Sequence, residues 1–338
     1  MEHSQGKLAI TYDADNKCLA PLVHIGYAKA GSTSIQSVFG DPNSGFACDR
    51  ALCLHKPGEV KNTRIVRYLA HTHDFEFDPE HLRFITMEEL GWAQSAGRLP
   101  VISYELLAGS WLYGSHNCKL IADRIKSVWP EARILMIYRE QKSMINSAYR
   151  HYIKKGGTRS FDQLLNPKGT GHTRGPGFSL RHFKYDQLLT YYHKIFGIDK
   201  VLALPLELLR EDTSGFFGKI FEFAGVEPEH NYQLPMPHEK IGIDAYTARY
   251  KRYVNPILAK DYVNGYSVWC TPYTQALGWL FIKVVQILGT ERKRTSAAMK
   301  LENEITRAVA GYYGESNRNL ESLTNIKLDK YGYDLQKY

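Results

Sequence analysis

Apolar and polar positions along this chain fall into blocks. Four short apolar runs stand out: PLVHIGY at 21–27, LPVISYE at 99–105, ARILMIYR at 132–139 and KVLALPLELL at 200–209. Each is short, rich in aliphatic residues and apolar at consecutive positions, which is the pattern of strands buried on both faces. After three of them the period changes. STSIQSVF at 32–39, EQKSMINSAYRHYIKK at 140–155 and SGFFGKIFEFAGV at 214–226 space their apolar residues as helices do, the last closing at Gly225. This alternation predicts an α/β fold, a parallel β-sheet flanked by helices on both faces, in a single domain over 1–338. Ligands of such sheets sit at the carboxyl ends of the strands. Tyr27 onward, Glu105 and Arg139 all fall at such ends.

Elsewhere the pattern is less regular. A Gly-, Pro- and Ser-rich stretch at about 156–180 predicts a loop over the strand ends, and 235–262 mixes Arg, Lys and Tyr. From about 255 to 338 the chain reads as a helical elaboration. Within it, ALGWLFIKVVQILG with ERKR behind it predicts a helix over 273–289 packed on the core. The other reading of that helix is a peripheral contact with a membrane surface. ITRAVAGYYGESNRNLESL at 305–323 predicts one further helix.

Composition narrows the class. The 338 residues are 43% hydrophobic and 23% charged, ordinary for a soluble globular chain. Forty-three Lys and Arg against 35 Asp and Glu give +8, which fits either a basic solvated surface or an anionic ligand. The longest uncharged run, Tyr262 to Ile282, contains Asn264, Pro272, Thr274 and Gln275 and makes a poor membrane span. The N-terminus is too polar for a secretory signal, so a cytoplasmic protein is expected, at the inner membrane surface if 273–289 touches lipid. Five cysteines, at 18, 48, 53, 118 and 270, are few and odd in number and predict free thiols in a reducing compartment. Cys48, Cys53 and His55 lie close together, but no second ligand pair follows at zinc spacing, so no metal is expected.

The stretch HIGYAKAGSTSIQ, His24 to Gln36, is P-loop-like in placing a glycine-rich turn between a strand and a helix. A nucleoside-triphosphate loop has lysine directly after its second glycine. Here Ser32 stands at that place and Lys29 precedes Gly31. The backbone N–H groups of 30–34, with the hydroxyls of Ser32, Thr33 and Ser34, still suit a phosphate. Lys29 meets such a ligand from the other side, near the atom that joins the phosphate to its departing group. A lysine there neutralises or protonates a leaving oxygen without a metal.

GYAKAGSTSIQ resembles the 5′-phosphosulfate loop of the sulfotransferases that use 3′-phosphoadenosine 5′-phosphosulfate (PAPS), close to K-x-G-[ST]-[ST] between strand and helix. Lys29, Ala30, Gly31, Ser32, Thr33 and Ser34 occupy that pattern. YREQKSMINSAYRHY resembles the family's 3′-phosphate signature, an arginine at a strand end and a serine eight residues on: Arg139 and Ser147, with Tyr149 and His151 following. Arg139 offers a planar fork of donors, and Ser147 adds a hydroxyl to the same phosphate. Ser147 and His151 are four apart and share a helix face. Where the family commonly has Arg-Asn-Pro or Arg-Asp-Pro, this chain has Arg139-Glu140-Gln141. LALPLELLREDTSGFFGKIFEFAGV resembles the family's late strand and helix, and the tail ESNRNLESL resembles bacterial members. The resemblance implies PAPS as co-substrate, PAP as product and no metal requirement.

Sulfuryl transfer needs in-line attack and a group to take the nucleophile's proton. The family places a His or Glu at the end of the strand between the two phosphate motifs, where this chain has Glu105; the alternative for Glu105 is a cap of the next helix. His151 is a second candidate base, and His71 and His73 a third. The family's late basic segment implies Arg249 and Arg252 over the 3′-phosphate or an acidic acceptor; a solvated helix face is the other reading. Two further functions fit parts of the sequence: an atypical metal-dependent P-loop kinase, and a non-catalytic polyanion binder, although no nucleic-acid recognition motif is present. The abundant Tyr and Trp and the Gly/Pro loop suit a polar acceptor such as a saccharide or glycolipid. Oligomeric state leaves no mark in the sequence.

Overall fold

The apolar runs become the centre of the molecule. A computed structural model describes residues 20–48, 64–111, 117–166, 178–235, 242–258 and 271–336. Its strands are β1 (Leu22–His24), β2 (Phe46–Cys48), β3 (Leu99–Ser103), β4 (Arg133–Tyr138) and β5 (Val201–Pro205). They form one parallel sheet in the order β2-β3-β1-β4-β5. Leu22, Val23, Ile134, Leu135, Met136 and Ile137 are fully buried, each contributing about 1.5–3 kcal/mol relative to exposure.

The connection from β1 to β2 contains α1 (Ser32–Phe39). Between β2 and β3 lie α2 (Arg64–His71), α3 (Pro79–Leu90) and α4 (Trp92–Ser95). α5 (Cys118–Val128) leads into β4; α6 (Gln141–Lys154), α7 (Phe161–Leu165) and α8 (Tyr185–Phe196) lead from β4 to β5. β1 connects toward one edge of the sheet, whereas β3 and β4 connect toward the other. Right-handed crossovers therefore put α1 on one face and α5 and α8, which pack together, on the other. The direction reverses between neighbouring β1 and β4. A crevice opens there at the carboxyl ends.

After β5 come α9 (Leu206–Glu211), α10 (Thr213–Ala224), α11 (Ala245–Leu258), α12 (Pro272–Leu288), α13 (Glu291–Val309) and α14 (Gly314–Thr324). α11 packs against α6, α12 and α13, and α14 packs against α8.

Several expectations need correction. The run at 200–209 is a strand only to Pro205, which starts a helix and offers no N–H to extend the ladder. The tail at 305–323 is two helices, since Gly311 takes φ 67 between them. β2 was not anticipated. The expected packing of 273–289 on the core fails: in α12 only Gly278 and Val285 are buried. Part of the expected loop at 156–180 is helix α7, and 167–177 lie outside the described residues. Cys48 is disulfide-bonded, against the expectation of free thiols, while Cys118 is free. Cys18, Cys53, His55 and Cys270 lie outside the described residues.

Candidate active site

The loop after β1 first continues as strand: Ile25 N–H donates to Leu135 O at 2.9 Å and Tyr27 N–H to Ile137 O at 3.3 Å. It then turns, with Ala30 N–H donating to Tyr27 O at 3.0 Å. Lys29 (φ 76) and Gly31 (φ 77) both take left-handed backbone around this turn. A Cβ at 31 would also lie 2.4 Å from Leu206 Cδ1 of α9, so that methyl would have to shift. No side chain caps the N-terminus of α1. The positive end of its dipole thus opens onto the loop. Ser32 and Ser34 are buried and Thr33 is half-buried.

Beneath the loop lies a buried polar cluster. His24 Nδ1 is 2.8 Å from Ser103 Oγ at the end of β3, and Gln36 Nε2 of α1 donates to the same hydroxyl at 3.1 Å. His24 Nε2 is buried without a hydrogen-bond partner. A Cβ on Gly26 would lie 2.4 Å from that nitrogen, so the glycine lets the loop cross directly over the ring. Burial lowers the His24 pKa to about 3 and keeps the imidazole neutral.

Arg139 follows β4 directly and crosses the crevice. Its Nη1 donates to Lys29 O at 3.3 Å, while Nε and Nη2 donate to Ser143 Oγ at 2.9 and 2.5 Å. Those three bonds leave two of its five N–H donors for a ligand. Tyr185 Oη donates to Arg139 O at 2.7 Å and fixes the turn. Glu140 stands where the resembled family has an Asn-Pro or Asp-Pro turn. Its carboxylate accepts from Lys142 N–H at 2.9 Å and Ser143 N–H at 2.7 Å, capping α6, and its own N–H donates to Glu207 Oε1 at 3.1 Å. One side chain thus supplies the cap.

Ser143, Ser147 and His151 recur every four residues of α6 and share one face. Ser143 binds Arg139 at one end of that stripe. His151 lies within the field of Lys29 at the other, so half-buried Ser147 sits between them. Burial, then the charges of Lys29, Lys155 and Lys154, lower the His151 pKa to about 4. Burial lowers the Arg139 pKa, and Arg210 and Arg150 add positive charge beside it; the guanidinium remains charged. Lys29, Arg139 and Arg210 thus bring positive charge to the crevice, with the Glu207 carboxylate also beside Arg139.

Glu105 lies two residues past β3, half-buried in the turn where Leu107 N–H donates to Tyr104 O. Since Ser103 pairs with His24 in register, Glu105 emerges at the same sheet end as the loop. His71, the last residue of α2, and His73 just beyond it are exposed. Arg249 is exposed on α11, and Arg252 bonds Tyr253 Oη and lies beside Tyr149. Among the described residues no cluster of three or more metal-ligating side chains occurs.

Sequence reading missed Ser143, Tyr185, Glu207, Arg210 and the His24 cluster. Ser143 carried a local signal, four residues after Arg139. The others come from distant segments and meet only through strand order.

Comparison with family models finds no match, and comparison with curated protein sequences finds none. Among solved structures, a sulfotransferase from Alicyclobacillus acidocaldarius superimposes with a TM-score of 0.51 at 14% identity, covering 93% of this chain and 98% of that one. The fold is that of a sulfotransferase. A sulfotransferase domain from the curacin biosynthetic pathway (TM-score 0.38, 12% identity, 86% and 99% covered) is also similar. So is one from the olefin synthase of Synechococcus PCC 7002 (0.37, 12%, 82% and 97%). In this sulfotransferase fold the described loop and Arg139 flank the switch point between β1 and β4.

Proposed function

We propose that the chain is a sulfotransferase that moves the sulfuryl group of PAPS to a hydroxyl or amine of an acceptor, without a metal. The observation that carries this reading is the bond from Arg139 to the carbonyl of Lys29. It joins the two sequences proposed to bind phosphate across the crevice, with Lys29 and Arg139 on its two sides and the uncapped start of α1 beside them.

The backbone of 30–34 and the hydroxyls of Ser32, Thr33 and Ser34 hold the 5′-phosphosulfate. Arg139, through its two remaining donors, and Ser147 hold the 3′-phosphate, with Arg249 and Arg252 as outer contacts. The acceptor oxygen attacks sulfur in line, its proton passes to Glu105, the sulfur–oxygen bond to the phosphate breaks, and Lys29 stabilises the oxygen left on PAP. Glu105 is preferred as base for its place two residues past the end of β3; His151, neutral with its pKa lowered to about 4, is the second candidate. The acceptor class we favour is a saccharide or glycolipid, because aromatic faces stack on sugars and the chain has 23 Tyr and 5 Trp.

Calorimetric titration with PAP in EDTA, beside ATP with magnesium, tests the donor. Micromolar PAP binding is expected, weakened about 10–100-fold by Arg139→Ala, the worth of a charge-assisted forked contact. Binding of ATP with magnesium and not of PAP would overturn the reading in favour of a kinase.

A further inference from the structure

α12 breaks the usual rule for helices in a folded chain. Its start is well specified: Thr271 caps it, with Pro272 at the first position. At its other end Lys293 Nζ donates to Leu288 O at 3.2 Å and Arg294 Nε to Gly289 O at 2.9 Å. Yet its large apolar side chains face outward. Tyr273 is 82% exposed, Leu277 67%, Leu280 57% and Ile287 81%, with Phe281 and Val284 more than two-fifths exposed.

At about 100° per residue these six positions fill one continuous arc of about 120°, the width of an apolar stripe that ordinarily meets a core. Next to that arc comes Lys283, whose ammonium lies 4.9 Å from the centre of the Trp279 ring. Beyond them are exposed Gln275 and Gln286, and Arg292 and Lys293 stand exposed at the corner where α13 begins. Glu291 is the lone acid in that group. A seventeen-residue helix of about 25 Å with an unbroken apolar arc, a Trp and Lys along its border and cations at its end suits the boundary of a bilayer. Among the described residues no helix is long and apolar enough to cross one.

We infer that α12 lies flat on an anionic lipid bilayer, its arc among the acyl chains and Lys283, Arg292 and Lys293 at the headgroups. Charge selects this occupant. A second copy docked through the same arc brings like cations together, whereas acidic headgroups complement them. The inference does not depend on the donor, since α12 packs on α11 and supplies none of the residues assigned to the donor.

Flotation of the full chain with phosphatidylcholine vesicles, with and without phosphatidylglycerol, tests it. Capture by the anionic vesicles is expected, roughly tenfold weaker on neutral ones and in high salt. Leu280→Glu with Ile287→Glu, both in the arc, should lower capture about tenfold or more while the circular dichroism melt stays unchanged. Three results overturn the inference: no capture by anionic vesicles, capture unchanged in the double variant, or a concentration-dependent dimer that the same substitutions dissolve. PAP binding by the double variant, measured alongside, keeps the donor reading separate.

Discussion

At the scale of single residues, Lys29 is the position where conformation and chemistry conflict. Its φ of 76 is one that a lysine adopts at a cost of about 1–2 kcal/mol and a glycine at none. Two substitutions separate the roles. Lys29→Ala removes the ammonium and keeps the strain, whereas Lys29→Gly removes both. Turnover of PAPS should vanish in each. Lys29→Gly should nevertheless be the more stable of the two by about 0.5–1 kcal/mol in urea denaturation, after the extra freedom of an unfolded glycine is subtracted. Equal stability would show that the backbone is unstrained. Wild-type turnover in either variant would remove lysine from the mechanism. The lysine's displacement was plain in the sequence, because it is a matter of spacing. Its left-handed backbone was not, since nothing local distinguishes a strained lysine from a relaxed one.

At the scale of elements, the start of α6 decides how Arg139 is aimed. Glu140 takes two N–H groups of the first turn while its own N–H is held by Glu207. Glu140→Ala should cost about 1–2 kcal/mol in urea denaturation. PAP affinity in the same variant should fall several-fold, because Ser143, the rest for Arg139, loses its anchored backbone. Glu140→Asp should recover most of both losses; an unchanged affinity in Glu140→Ala would detach the cap from the site. β1, β3 and β4 were legible as continuous apolar runs. β2 was not, since Phe46–Cys48 stand between Gly45 and Asp49 without a longer apolar run and pair only at the sheet edge. The α12 pattern gave the helix and not its surroundings, since periodicity reports a face without saying what covers it. Ser143 follows from helical spacing once Arg139 is chosen. Tyr185 and Glu207 follow only from β5 lying beside β4.

At the scale of the whole molecule, buried imidazoles set the response to acid. His24 and His182 have pKa values near 3 and His151 near 4, in each case chiefly through burial. In the unfolded chain the same groups bind protons near pH 6.5. Below that pH the unfolded state therefore takes up protons that the fold refuses. The histidine contribution is complete above about pH 6.5 and is lost progressively down to about pH 3, on the order of a few kcal/mol for each fully buried ring. The melting temperature should fall over that window. His24→Asn, which keeps a polar atom toward Ser103 without the titration, should flatten the fall; an unchanged slope would show that His24 does not contribute. The crevice itself has a consequence for fidelity. Arg139 touches the loop carbonyl, and on the proposed assignment the same guanidinium holds the distal phosphate, so the two ends of the donor are not judged separately. On that assignment a nucleotide lacking the outer phosphate leaves Arg139 half employed, and the loop proposed to grip the reacting end loses its counterweight. Discrimination between near-identical donors is then exercised in the speed of the reaction as well as in the strength of capture.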